Sequence, residues 1–461
     1  MNDKNKLGFW SIVLLAINSI IGSGIFLTPG SVVARAGDKA LIVYLIAAIF
    51  ASILAISFAS AAKYVSKSGA AYAYSKAAFG DGVGFYMGVL RYFSASVAWG
   101  VMAVAVIKST IAIFGGDPNN FATVTWGFVL LMAIILIINI FGQNVVKYVM
   151  NLSTIGKLLA LGLVIVAGFV VLMTTGQNHF SELGALQKSM PNSQPITTSA
   201  LVMAVVSAFY AFTGFEAVAS GSEDMKEPEK NLPRAIPLAI LIITLIYIGV
   251  VGIVMVIDPR SLFYTKQVVA VAAAFNNKII QNLILAGALV SMFGINVASS
   301  FHAPRVLEAM ARENQFSSYL TKRTKRDFPV RTFTITLILA ILIPMAFQYS
   351  TDNLIILSAT VRFIGFIIVP WGVIKFYYGK SKEAILDAKK NWFTDVLLPI
   401  LSIVLTLFLL YKYDWVSVFS IAQGKTMVMN WYAIGSLIFG AVFLPAILWM
   451  ITRFEQRNGK A

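Results

Sequence analysis

Apolar residues fall into twelve long runs, at roughly 9–35, 40–62, 83–113, 123–142, 150–174, 197–219, 233–257, 279–302, 332–349, 353–376, 394–411 and 430–452. Each reaches the ~18 mostly uncharged residues a helix needs to cross a hydrocarbon core. The pattern therefore predicts an all-α polytopic membrane protein with twelve transmembrane helices. Polar islands inside the runs say more than the runs themselves. The first run is interrupted by Ile21-Gly22-Ser23-Gly24-Ile25-Phe26. A helix that unwinds at mid-depth leaves amide and carbonyl groups with no water to satisfy them, so the break survives only where it lines a protein-enclosed cavity.

The runs form two sets. Five end near Thr174, and a polar loop from Gln177 to Thr198, with Pro191 and Pro195, leads to five more. A charged connection from Gly379 to Asn391 then precedes the last two. Because five is odd, the second set enters the membrane from the opposite side, which predicts an inverted repeat: 1–174 and 197–378, with 392–453 as two accessory helices. The sixth run is then the mate of the first. It carries Phe209-Tyr210-Ala211-Phe212-Thr213-Gly214-Phe215-Glu216, a second interruption followed by a carboxylate. A lone Glu at membrane depth is costly unless it faces a cavity or a partner. Interruptions at corresponding places in two halves point to a binding site.

Where a helix restarts, its first N–H groups carry partial positive charge and suit a carboxylate. Here those are the amides of Ser23, Gly24 and Ile25, with the Ser23 hydroxyl, and Gly22 lets a solute approach the backbone. Where the preceding half-helix stops, bare carbonyls suit an ammonium; Ile20, Tyr210 and Thr213 supply them. Paired anion and cation ends fit an α-amino acid zwitterion. Taken alone, G-x-G in a membrane helix also marks close helix packing.

Composition narrows the function classes. Of 461 residues, 58% are hydrophobic and 12% charged, and the mean hydropathy is +0.81, outside the soluble globular range. The chain has no cysteine and only His179 and His302 as histidines, so disulfides and Cys- or His-rich metal sites are excluded, and no cofactor is implied. No Walker-type phosphate loop argues for an ATP-driven pump, and no nucleophile or acid–base pair argues for an enzyme. The net charge of +16 is distributed as in a membrane protein. With a cytoplasmic N-terminus, 24 of the 36 Lys and Arg fall on the inner side, eight on the outer side and four within runs. This positive-inside bias predicts that both termini are cytoplasmic and leaves no reason to invoke nucleic acid. The run Lys322 to Arg326 reads as a topology determinant in contact with anionic lipid. Lys4 and Lys6 precede an apolar stretch too long for a signal-peptide core, so no cleavable leader is expected.

The string Ile21-Gly-Ser-Gly-Ile-Phe-Leu-Thr-Pro-Gly30 resembles the first-helix signature of the amino acid–polyamine–organocation transporters. Phe212-Thr-Gly-Phe-Glu216, continuing from Ser222 to Ile236, is similar to that family's sixth helix and following loop. Ser68 to Tyr74 with Phe79-Gly80, and Arg305 to Asn314, match further motifs, collinear over roughly residues 7–380. The resemblance implies the five-plus-five fold with helices 1 and 6 broken at mid-membrane. It also implies an amino acid or amine at the breaks, and coupling to protons or to a counter-transported amino acid. Lys157 matches a lysine that, in one branch of the family, stands where related carriers bind sodium.

Other intramembrane polar residues leave alternatives open. Lys157 either faces the first break or snorkels to the inner interface. Arg362, near mid-depth, pairs with Glu216, acts in gating or anion attraction, or lines a vestibule. Arg91 and Lys108 read as vestibule or snorkelling residues, and His302 as structural. Glu223, Asp224, Glu227 and Glu229 read as a gate-side salt-bridge surface.

The sequence thus leads to the expectation of a secondary active transporter of L-amino acids in the plasma (inner) membrane, acting by alternating access with no obligate partner. The expected site comprises Ile20, Gly22, Ser23, Gly24, Ile25, Phe209, Tyr210, Thr213 and Gly214, with Lys157, Glu216 and Arg362 in coupling or gating. Neutral substrates are expected, because Tyr210, Phe212 and Phe215 are the bulky groups beside a single acid. A carrier of cationic amino acids or polyamines, and a transporter-like nutrient sensor, are the other readings.

Overall fold

The computed structural model describes residues 7–65, 69–141, 143–176, 178–189, 196–220, 225–264, 269–324, 328–423 and 426–457. Lys4, Lys6, Ser68, Gln177, Pro191, Pro195, Ser222, Glu223, Asp224, Lys325 and Arg326 lie outside the described residues. The helices are α1 (Phe9–Ile20), α2 (Gly24–Ala36), α3 (Ala40–Tyr64), α4 (Ala71–Phe79), α5 (Asp81–Ile113), α6 (Phe121–Phe141) and α7 (Gln143–Thr175). They continue with α8 (Leu183–Ser189), α9 (Thr198–Tyr210), α10 (Phe215–Ser220), α11 (Pro228–Ile257), α12 (Pro259–Tyr264), α13 (Ala270–Ala273) and α14 (Lys278–Arg312). The last are α15 (Val330–Ala346), α16 (Thr351–Tyr377), α17 (Leu398–Lys412), α18 (Trp415–Val418), α19 (Trp431–Ile438) and α20 (Leu444–Arg457). A two-stranded antiparallel hairpin, β1 (Ser420–Gln423) and β2 (Thr426–Met429), precedes α19.

Among the described residues, nine helical stretches are long and apolar enough to cross a membrane. Three apolar helices are shorter: α1, α9 and α15. Both α1 and α9 stop where the sequence places its interruptions. Large apolar side chains such as Leu130, Leu159, Phe169, Leu245 and Trp449 remain exposed around the outside. An exposed apolar belt of this kind is what acyl chains, and not water, cover. The protein is an all-α polytopic membrane protein, with the hairpin as a small addition at one rim.

Several helices outrun their apolar cores. α7 starts at Gln143, before the expected 150, and α14 continues to Arg312, ten residues past the expected end. Hydropathy marks the lipid-facing stretch, whereas the helix goes on as long as its hydrogen-bond ladder is the best partner for the backbone.

α3, α11 and α16 pack on the two broken pairs. α2 lies along α9, and α1 packs on α10 and α11, while α9 and α10 pack on α3. Elsewhere α3 meets α11, α5 meets α14, α7 meets α14 and α5 meets α16. Exchanging α1/α2 with α9/α10, α3 with α11, α5 with α14 and α7 with α16 maps this contact set onto itself.

On the face where α3 ends, the 379–391 connection is tied down. The Leu386 amide donates to the Tyr64 carbonyl at 2.9 Å and the Lys382 amide to the Ala77 carbonyl at 2.8 Å. Lys63 Nζ reaches Asp395 Oδ2 at 2.6 Å, and Tyr64 Oη donates to the same oxygen at 2.7 Å. Both members of this ion pair are buried. Glu308 similarly holds Arg323 through two hydrogen bonds, at 2.6 and 2.8 Å.

Candidate functional site

The first break begins when Ile21, its amide still bonded to the Ile17 carbonyl at 2.9 Å, turns to extended backbone at ψ 97°. Helix resumes at Gly24. The amides of Gly24 and Ile25 head α2, so the helix itself offers them no acceptor. The Ser23 hydroxyl does not cap α2; it is buried without a hydrogen-bond partner among the described residues.

The second break tightens α9 into i to i+3 bonds: Ala211 N–H to Ala208 O at 3.0 Å, Phe212 to Phe209 at 2.9 Å and Thr213 to Tyr210 at 3.2 Å. Gly214, at φ +122°, then redirects the chain into α10, a conformation only glycine adopts without strain. Tyr247 of α11 braces this turn by donating to the Ala211 carbonyl at 2.9 Å.

The two breaks touch. A Cβ built on Gly24 would sit 2.5 Å from the Ala211 Cα, and one on Gly214 would collide with the Ser19 carbonyl. Glycine at both places is what lets the two backbones meet.

Beside this contact lies a cavity of about 180 Å³. Ile20, Gly22, Ser23 and Gly24 line it from one break, and Tyr210, Thr213 and Gly214 from the other. Lys157, Glu216 and Arg362 complete the wall, together with Arg91, Asn18, Ser153 and His302. From the broken helices, the lining runs from Leu15 to Gly24 and from Tyr210 to Ala217. The cavity therefore extends from the breaks toward the end where α1 begins and α10 finishes. Ile25 and Phe209, two of the residues named from the sequence, are not in the wall. Ile25 is fully buried, and Phe209 packs behind it between Phe50 at 4.9 Å and Phe366 at 5.5 Å. The residue after a break is aimed by helix geometry, which a motif does not reveal.

Polar groups in the wall are specifically engaged. Lys157 Nζ donates to the Asn18 carbonyl at 2.8 Å and the Ile21 carbonyl at 2.7 Å. It thus satisfies acceptors that the break frees from α1. Glu216 Oε2 accepts from the Gly214 amide at 3.0 Å, and its Oε1 lies 3.7 Å from Arg362 Nη1. Arg362 is fixed by Nε donating to Ser94 Oγ at 3.2 Å, while its Nη1 has no hydrogen-bond partner among the described residues. The Tyr210 carbonyl, one of the expected ammonium acceptors, already receives both the Thr213 amide and the Thr213 hydroxyl, the latter at 2.8 Å. Arg91, read from the sequence as a vestibule residue, stands in the central wall. Its depth along a run gave no signal of that, because α5 and α16 are brought together only by the tertiary fold. Among the described residues, no group of three or more His, Cys, Asp or Glu is placed to hold a metal.

The whole-chain comparisons agree with this architecture. The family model described as amino acid permease matches residues 7–444. An uncharacterized transporter of Mycobacterium tuberculosis is 37% identical over 97% of this chain and 94% of its own length. A branched-chain amino acid permease of Bacillus subtilis is 26% identical over 95% and 92%. The mouse Asc-type amino acid transporter 1 is 30% identical over 69% of this chain and 60% of its own length. With two broken helices packed at one cavity and a family match spanning nearly every helix, the chain belongs to the amino acid permeases of the amino acid–polyamine–organocation superfamily.

Proposed function

We propose that the chain is a secondary active transporter that carries L-amino acids across the plasma membrane by alternating access, driven by proton symport or amino acid exchange. The observation that carries this reading is the contact of two unwound segments at one cavity, with the Lys157 ammonium on the carbonyls that the first break exposes. Of the three amides expected from the sequence, those of Ser23 and Gly24, with the Ser23 hydroxyl, would receive the substrate carboxylate; Ile25 lies outside the wall. Carbonyls of Ile20 and Thr213 would receive the amine; the Tyr210 carbonyl is a poorer candidate because two donors already use it.

Twelve spans in a five-plus-five inverted repeat, with units 1–174 and 197–378 and accessory helices in 392–453, are part of the proposal. The exchange symmetry of the helix contacts supports it, since an inverted repeat requires that pairing. With both termini cytoplasmic, as the positive-inside bias favours, the cavity lies on the inner side of the breaks. An inward-facing state has this form.

Glu216 motivated a cationic substrate in the sequence. Its carboxylate accepts from the Gly214 amide and already faces a cation of the protein's own, Arg362 at 3.7 Å, which weakens that motive. Two of the three relatives are named for amino acids, which supports recognition of the α-amino and α-carboxyl groups.

Counterflow in proteoliposomes tests the proposal. Vesicles loaded with an unlabelled amino acid mixture should accumulate a labelled amino acid transiently, and an imposed pH gradient should alter the rate if protons are coupled. Binding without uptake or exchange would identify a sensor instead. Ligand at about 100 times its Kd should add roughly 2.7 kcal/mol of stability, so thermal stabilisation ranks candidate substrates beforehand.

A further inference from the structure

Charge in the cavity is unbalanced. Its wall holds two guanidinium groups, Arg91 from α5 and Arg362 from α16, and a single carboxylate, Glu216. Both guanidiniums keep their charge at any physiological pH. Lys157 adds an amine whose two hydrogen bonds go to carbonyls, so it brings no negative partner. Glu216 is also a poor counter-ion for two cations at once. One oxygen is committed to the Gly214 amide, and the other stands off from Arg362 by 3.7 Å, beyond hydrogen-bond reach.

Arg362 is the telling residue. Its side chain is 9% exposed, Ser94 fixes its Nε, and its Nη1 has no hydrogen-bond partner among the described residues. Arg91 shares Glu216 with Arg362 as its electrostatic partner. A second, smaller cavity of about 30 Å³ is also lined by Arg91, Ser94, Glu216 and Arg362. A guanidinium held in place in a cavity wall is a receptor for a carboxylate, which it binds through two parallel hydrogen bonds.

We infer that the cavity selects an amino acid with a second acidic group, aspartate or glutamate, whose side-chain carboxylate is received by Arg362 and Arg91 while the backbone groups sit at the breaks. The inference rests on the amino acid transport reading above and names its substrate class. It departs from the expectation of neutral substrates, which was reached with Arg91 assigned to a vestibule. A zwitterion would leave the excess positive charge as it is; a dicarboxylic amino acid sets one net negative charge against it.

The test is thermal stabilisation and counterflow with the purified full chain, comparing L-glutamate and L-aspartate with L-glutamine, L-leucine, L-alanine and L-arginine. Glutamine is the uncharged counterpart of glutamate, so their affinity ratio isolates the second carboxylate. The expected result is that glutamate or aspartate binds at least tenfold more tightly than glutamine and drives counterflow. In Arg362→Gln, and separately in Arg91→Gln, that ratio should fall at least tenfold. If one variant does not fold, the other and the wild-type ratio still decide. Counterflow of leucine, alanine or glutamine with glutamate and aspartate inert overturns the acidic assignment and leaves the carrier reading intact. If no amino acid of the panel binds or exchanges, both fall.

Discussion

Gly22 and Gly24 sit two residues apart in the same motif, yet the structure predicts opposite responses to one added methyl group. On Gly24 the new Cβ would lie 2.5 Å from the Ala211 Cα, 3.0 Å from its Cβ and 3.2 Å from its amide nitrogen. Carbon atoms in contact prefer about 3.5–4.0 Å, so the breaks must part by about 1 Å. The obstacle is backbone, which has no rotamer to change. Overpacking of this kind costs about 1–3 kcal/mol, and alanine returns up to about 1 kcal/mol as the better helix former. On Gly22 the Cβ would meet the Ile295 side chain at 3.4 Å and the Ile20 carbonyl at 4.0 Å, contacts that a small shift absorbs. Gly24→Ala should therefore weaken substrate binding on the order of tenfold or more, at 1.36 kcal/mol per factor of ten. Gly22→Ala should change it less than about threefold by the same conversion. Ligand-induced thermal shift and counterflow on matched preparations measure both. Equal losses for the two variants, or wild-type transport by Gly24→Ala, would refute the claim that the breaks must touch.

Lys157→Ala removes two charge-assisted hydrogen bonds to freed carbonyls, each worth about 1.5–3 kcal/mol. It should abolish transport or flatten its pH dependence while changing initial binding much less; normal transport across pH would show that the ammonium has no coupling role. Gly214→Ala places a Cβ against the Ser19 carbonyl at a φ of +122°, so it should lower the melting temperature and abolish ligand stabilisation together. Asp395→Ala strands the buried Lys63 ammonium, a change that costs about 3–5 kcal/mol. The double substitution Lys63→Met with Asp395→Leu should recover most of the lost melting temperature, and failure to recover would mean that the pair's geometry, not its charge balance, holds the connection.

Local features of the sequence announce local features of the structure. A Gly-Ser-Gly island in an apolar run, and a Thr-Gly step before Glu216, mark where a helix cannot continue, and both breaks lie there. Lys157 drew notice through the family resemblance, and the sequence left it either facing the first break or snorkelling; its hydrogen bonds to Asn18 and Ile21 are made only by the fold. Features made by distant residues were not legible. Lys63 read as one more inner-face cation, and its partner Asp395 is 332 residues away. Arg91 carried no mark of its place beside Arg362 because depth along one helix says nothing about which neighbour it faces. The hairpin strands Ser420–Gln423 and Thr426–Met429 escaped because four residues each are too few to register beside the long apolar runs.

Natural absence of cysteine allows a direct test of the central claim, that the two breaks form one amino acid site. Ser23→Cys and, separately, Thr213→Cys each introduce a single thiol at the cavity wall, one from each break. In proteoliposomes that transport, a small uncharged thiosulfonate should modify both thiols, and saturating amino acid should slow both reactions at least tenfold with the same half-maximal concentration. Modification at either position that proceeds at one rate with and without a transported amino acid would contradict the account.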